Sequence, residues 1–112
     1  MISKALVAAT TKPLILTILL DNETYGYRII KQIKALSEGR LEWSFGMLYP
    51  VLHRLEKEGL VASSWKLSAN DRLRKYYRLT KTGRRELERE KSQWLTVNKI
   101  FTRFWDAPEV RT

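Results

Sequence analysis

Ser44-Phe45-Gly46-Met47-Leu48-Tyr49-Pro50-Val51-Leu52-His53-Arg54-Leu55-Glu56-Lys57-Glu58-Gly59-Leu60 reads as a short amphipathic helix, stopped by glycine, that runs straight into a strand. Leu48, Leu52 and Leu55, flanked by Phe45 and Val51, recur at helical spacing and make one apolar stripe. Met47, Tyr49, Pro50, Arg54 and Lys57 fall on the opposite face. Ser44 is a good N-cap, because its hydroxyl can accept an orphan N–H of the first turn. Gly59 is the expected C′ residue, where a left-handed backbone closes the helix. A helix with leucines inward and a small, cationic, aromatic face outward is shaped to enter a DNA major groove.

Working outward, residues 60–66 and 74–79 read as two β-strands, with the tip of a hairpin at 68–72. In the second strand Tyr76 and Arg78 point one way, and Lys75, Tyr77 and Leu79 the other. Upstream, Pro13 suits the first turn of a helix capped by Thr11 or Lys12, and Leu14 to Leu20 is apolar nearly all round. Asp21-Asn22-Glu23 is a polar turn. A second helix covers about 25–37, with Ile29, Ile30, Ile33 and Leu36 facing inward. Leu41-Glu42-Trp43 suits a short strand. Helix, helix, helix, strand, strand is the order of a winged helix-turn-helix, so the expected class is mainly α (α+β).

Thr80 then caps a long final helix over 81–106, stopped by Pro108. Leu87, Trp94, Val97, Phe101 and Phe104 recur as a coiled-coil-like seam, and Leu95, Ile100 and Trp105 widen it. At ~1.5 Å per residue the helix is about 38 Å long and overhangs so small a domain. An apolar stripe of that size needs a partner, the simplest being the same helix of a second copy. The expected organisation is a winged region over 1–80 and a dimerisation helix over 81–107, in one compact unit.

Composition narrows the partners. Lys and Arg number 21 against 12 Asp and Glu, a net charge of +9. Residues 44–83 hold 8 basic and 3 acidic side chains, a net +5, while 1–43 (6 and 4) and 84–112 (7 and 5) carry +2 each. The excess therefore lies on the third helix and hairpin, pointing to nucleic acid. Membrane-surface binding fits poorly, because these charges do not lie opposite an apolar face. Cysteine is absent and histidine occurs once, so neither metal nor cofactor is expected. No nucleophile–base–acid set suggests an enzyme. Leu14 to Leu20 is too short to span a bilayer, and the chain is read as cytoplasmic.

Several residues are candidates for DNA contact. On the third helix they are Ser44, Gly46, Met47, Tyr49, Pro50 and Arg54. Gly46 lets the backbone approach the duplex, and the helix N-terminus favours a phosphate. Arg54 suits a backbone clamp, because it lies more than a turn from the helix start. Gly46 and Pro50 can equally be matters of backbone geometry. Tyr25 and Lys31 on the second helix can reach phosphates, whereas Tyr27 fits core and surface alike. Arg72, Arg74 and Lys75 in the hairpin can track the minor groove, or can simply be a solvated charged face. His53 reads as a surface histidine.

These motifs together resemble the PadR-like transcriptional regulators over about residues 12–105. The resemblance rests on Tyr25-Gly26-Tyr27 with Ile30 and Ile33, then on Ser44 to Pro50 with Leu52, Arg54-Leu55-Glu56 and Gly59-Leu60. It continues through Trp65, Arg74-Lys75-Tyr76-Tyr77-Arg78-Leu79-Thr80 and Gly83. It implies a winged helix-turn-helix with a C-terminal dimerisation helix, and repression at a DNA operator relieved by a small molecule or stress signal. Met47 departs from the family, which commonly has threonine there, so a hydroxyl contact is not carried over. The single final helix is similar to a smaller subfamily in which aromatic residues of the dimer helices hold planar hydrophobic drugs. Trp94 sits where those members carry tryptophan, with Val97 and Asn98 just beyond it and Lys12 and Pro13 expected alongside. The implied dimer contacts are Leu87, Trp94, Val97, Phe101, Phe104 and Trp105. Another class remains open, a winged-helix protein-interaction module without specific DNA binding.

Overall fold

Three helices, a hairpin and a final long helix make up the fold, in a computed structural model that describes residues 1–106. Helix α1 spans Lys4–Asp21, strand β1 Thr24–Tyr25, α2 Gly26–Leu36 and α3 Phe45–Lys57. Strands β2 (Val61–Leu67) and β3 (Leu73–Leu79) form the hairpin, and α4 covers Lys81–Asp106. The expected winged helix-turn-helix, mainly helical with a small sheet, is the fold found. The stop assigned to Pro108 lies outside the described residues, as does Ala107.

Helix α3 closes at both ends through its own sequence. The Ser44 hydroxyl accepts the Met47 N–H at 3.2 Å. At the other end Gly59, at φ +76°, lets its N–H reach the Glu56 carbonyl at 3.0 Å and the Leu60 N–H reach the Leu55 carbonyl at 2.9 Å. This pair of bonds is a Schellman closure, and it satisfies carbonyls that a helix end otherwise leaves orphaned. Leu48, Leu52 and Leu55 are fully buried, against Ile15 and Leu16 of α1 and Ile29 and Ile33 of α2 in one core.

Helix α1 begins nine residues before its expected start. Ser3, not Thr11 or Lys12, is the cap, accepting the Leu6 N–H at 3.2 Å. Pro13 lies inside the helix, where it removes one backbone bond at a cost of about 3 kcal/mol. Packing offsets that loss: Ile2 and Val7 lie against the core, and Thr11 is buried with its hydroxyl donated to the Val7 carbonyl at 2.7 Å.

Two further expectations are corrected. Leu41-Glu42-Trp43 is not a strand; Leu41 and Trp43 are buried from an irregular connection. The third strand is instead β1, whose Thr24 and Tyr25 pair antiparallel with Tyr77 and Tyr76 of β3, giving the order β1-β3-β2. Two residues are too few to show a period-two pattern. Leu36 is 73 % exposed rather than inward, because α2 ends there and the chain leaves the core through Glu38 and Gly39 in left-handed conformation.

In the hairpin Tyr77 and Leu79 point inward and Arg78 outward, as alternation requires. Beyond it, the Thr80 hydroxyl accepts the Gly83 N–H at 2.9 Å, capping α4. Gly83 fits because any Cβ there would lie 2.0 Å from the Leu60 carbonyl oxygen. Lys12 joins α1 to α4, meeting Glu86 at 2.6 Å and Glu90 at 3.6 Å. After Leu87 and Glu90, α4 leaves the core, and every described residue from Lys91 onward is exposed.

Candidate nucleic-acid interface

The face of α3 turned from the core carries Ser44, Gly46, Pro50 and Arg54, all exposed. A Cβ at Gly46 would meet nothing nearer than the Ser44 hydroxyl at 3.9 Å, so approach of a duplex, not internal crowding, is what this glycine leaves room for. Met47 and Tyr49 are less outward than the helical wheel suggests. Met47 is half-buried against the core. Tyr49 is half-buried too, its ring stacked on Phe45 with centroids 5.6 Å apart. The Tyr49 hydroxyl also lies 2.7 Å from where a Gly26 Cβ would be. Gly26 is thus the socket that lets α2 and α3 close together, which accounts for its place in Tyr25-Gly26-Tyr27.

The second helix and the wing place their cations on aromatic rings. Arg74 sits 4.4 Å above the Tyr25 ring and Arg28 5.5 Å from it, while Tyr76 packs edge-on to Tyr25 at 5.2 Å. Tyr25 is therefore a half-buried base for two guanidinium groups. Lys31 is exposed, 5.4 Å from the Tyr27 ring. Lys75 is half-buried, 3.9 Å from Glu56, and Arg72 is exposed at the hairpin tip. Lys66 is paired with Glu23. These contacts hold the cations in place at the surface, and each such pair is worth ~0.5–1 kcal/mol at exposed sites.

On the far side of the molecule, Trp94 and Pro13 come together. With Leu6, Leu14, Leu87 and Leu95 they line an almost wholly apolar hollow of about 480 Å³ between α1 and α4. Lys12 is not in its wall, because its ammonium is turned to Glu86 and Glu90. Val97 borders a shallower hollow with Gln93 and Trp94. Asn98 is exposed and lines neither. Leu87 is 4 % exposed; its surface is spent on its own core, and little is left for a partner chain. Phe101 and Trp105 stack with centroids 4.9 Å apart. Glu86, bonded to Arg89 at 2.8 Å and to Lys12 at 2.6 Å, has its carboxyl pulled down to about 2, first by Arg89 and then by Lys12.

The model of the transcriptional regulator PadR-like family matches residues 15–89. The chain belongs to this family. A transcriptional regulator from Clostridium thermocellum superposes with a TM-score of 0.82 at 27 % identity, covering 93 % of this chain and 98 % of that one. A PadR-like transcriptional regulator from Bacillus cereus gives 0.82 at 28 %, over 91 % and 97 %. In sequence, transcriptional regulator Rv3488 of Mycobacterium tuberculosis is 38 % identical over 71 residues, 63 % of each chain. A PadR-like regulator is not an enzyme, and among the described residues no group of three or more His, Asp or Glu is placed to hold a metal. No described helix is long and apolar enough to cross a membrane.

Sequence reasoning missed three aromatic residues on the DNA-side surface of this PadR-like chain. Phe45, read as part of the core stripe, is 46 % exposed, and Trp65 is 64 % exposed. Tyr27, left undecided, is 48 % exposed. The available signal was strand alternation: Trp65 shares a face with Leu67, Leu73 and Lys75, the continuation of the core face past the edge of the domain.

Proposed function

We propose that this PadR-like regulator is a homodimeric repressor that binds an operator in double-stranded DNA and responds to a planar hydrophobic ligand at its dimer interface. The observation that carries this reading is the outer half of α4. Trp94, Leu95, Val97, Ile100, Phe101 and Phe104 are all about half-exposed on one helix that leaves the core. An apolar surface of that extent calls for a partner, and a second α4 is self-complementary to it about a two-fold axis. Two α3 helices then face the same side, ready for half-sites about 34 Å apart. Ser44, Gly46, Pro50 and Arg54 lead the contact from α3, with Met47 and Tyr49 behind them. Lys31, Arg72, Arg74 and Lys75 hold phosphates, and Tyr25 supports Arg74.

The hollow beside Trp94 supports the ligand part of the reading. A two-fold axis near Trp94 brings two indoles together, and stacked rings gain ~0.5–1.5 kcal/mol beyond area burial. A ligand shifts operator affinity only if it binds the two dimer forms unequally. Pro13 and Val97 border this space, while Lys12 and Asn98 act at its rim if at all.

Sedimentation and fluorescence anisotropy test the proposal together. A dimer that binds promoter DNA above a shuffled control, with a steep salt slope, is the expected result. A monomer with weak, sequence-blind binding would instead leave a winged-helix protein-interaction module.

A further inference from the structure

Phe45, Tyr49 and His53 follow one another at four-residue steps on α3 and form a run of rings. Phe45 and Tyr49 are nearly parallel, at 13°, and His53 lies 6.3 Å beyond Tyr49. Across from this run stands Trp65 of the wing, and between them lies a hollow of about 420 Å³ that Tyr27, Arg74 and Tyr77 also line. Three of its aromatic side chains are half or more exposed. A base-paired duplex presents base edges and phosphates to a protein, and its ring faces are hidden in the stack. Exposed aromatic faces beside cations match a different form of nucleic acid, a strand whose bases are unstacked.

The floor of the hollow points the same way. Tyr77 is fully buried, and neither its hydroxyl nor Arg74 Nε has a hydrogen-bond partner, although both are shut off from water. Burial, followed by the neighbouring Glu56 carboxylate, pushes the Tyr77 phenol up to about 12, so at neutral pH it is a donor. Glu56 itself is engaged by the Ser63 hydroxyl at 2.6 Å and by Lys75 at 3.9 Å. Two buried donors without an acceptor are costly, and a base carbonyl is the complementary group. Thymine offers two carbonyls and adenine none.

We infer that the hollow between α3 and the wing holds an unstacked base of single-stranded DNA, thymine in preference to adenine. Trp65 and Phe45 close on its faces, Tyr77 and Arg74 meet its carbonyl edge, and Lys75 neutralises the adjoining phosphate. This site is separate from the exposed α3 face proposed for the duplex, so either can fail without the other.

The test uses fluorescein-labelled oligothymidylate and oligoadenylate of about 15 nucleotides, a span suited to single-strand grooves. An abasic oligonucleotide of equal length and a random duplex serve as controls. Binding is read by anisotropy and by quenching of tryptophan fluorescence, with thermal melts confirming that each variant is folded. Trp65→Ala and Phe45→Ala are each expected to weaken oligothymidylate binding by about tenfold, as loss of a stacking partner does, and to leave duplex binding within about twofold. Tyr77→Phe, which removes only an unpartnered hydroxyl, is expected to erase the preference for thymine over adenine. Abasic and thymidine strands binding equally tightly, or oligothymidylate affinity unmoved in both Trp65→Ala and Phe45→Ala, would overturn the inference.

Discussion

Replacing Gly83 by alanine tests how the two halves of the chain are joined. On an exposed helix the change gains about 0.8–1 kcal/mol, because glycine is a poor helix former. Here the new Cβ would lie 2.0 Å from the Leu60 carbonyl oxygen, 3.0 Å from its carbon and 2.7 Å from Leu79 Cδ1. A leucine methyl can swing aside. The Leu60 carbonyl cannot do so freely, since it also accepts the Thr80 N–H at 3.1 Å and the Thr80 hydroxyl at 3.0 Å. Overpacking of this kind costs ~1–3 kcal/mol or more, and the broken Thr80 bonds add about 1 kcal/mol each. Against the propensity gain, the net loss is expected to be about 2–4 kcal/mol. Urea melts followed by circular dichroism read it as a lower midpoint at unchanged slope, with protein concentration held fixed because a dimer's stability depends on it. A Gly83→Ala protein as stable as the parent, or more so, refutes the packing argument.

Other expectations concern charge and assembly. Glu86 titrates in the folded chain near 2 rather than near its ordinary 4.5, so its contribution is complete above about 4.5 and is lost as pH falls toward 2. Glu86→Gln is expected to flatten the stability profile in that window, measured by melts between pH 2 and 6. The double variant Phe101→Ser with Phe104→Ser is expected to shift the protein to monomer in sedimentation and to weaken operator binding by more than about tenfold, since one half-site must then hold alone. Trp94→Ala is expected to abolish binding of a planar drug while operator affinity is kept; unchanged drug affinity counts against a site there. Ser44→Ala is expected to cost about 1 kcal/mol, the value of an N-cap, in the same urea assay.

Much of the fold was legible because the deciding signals are local. The Ser44 cap, the leucine stripe of α3 and the Gly59 stop are each written within a few residues, and all three occur as read. The hairpin and the start of α4 at Thr80 were likewise marked by alternation and capping. What escaped depends on contacts distant in sequence. Pro13 signals a helix start by its own chemistry, yet packing of Ile2, Val7 and Thr11 carries α1 back to Lys4. Strand β1 exists only because β3 offers it partners. The proposed sites were legible in kind and less so in detail. Residue type identified the outward cations, but not that Lys12 is committed to Glu86, that Tyr49 fills the space left by Gly26, or that Leu87 belongs to the core.

Thr80 sits at a mechanical joint. Its hydroxyl reaches the Gly59 carbonyl at 2.6 Å and the Leu60 carbonyl at 3.0 Å, and it also receives the Gly83 N–H. The exit of α3, the root of the wing and the entry of α4 are therefore clamped by one side chain. With no slack at that point, α4 and α3 turn as one stiff crank rather than as two parts on a flexible neck. A tilt of about 5° where two α4 helices cross would swing each α3, on an arm of ~17 Å, by about 1.5 Å. That displacement is enough to take a recognition helix out of register with its groove, so a small repacking at the far end of the molecule needs no further relay to be felt at the DNA.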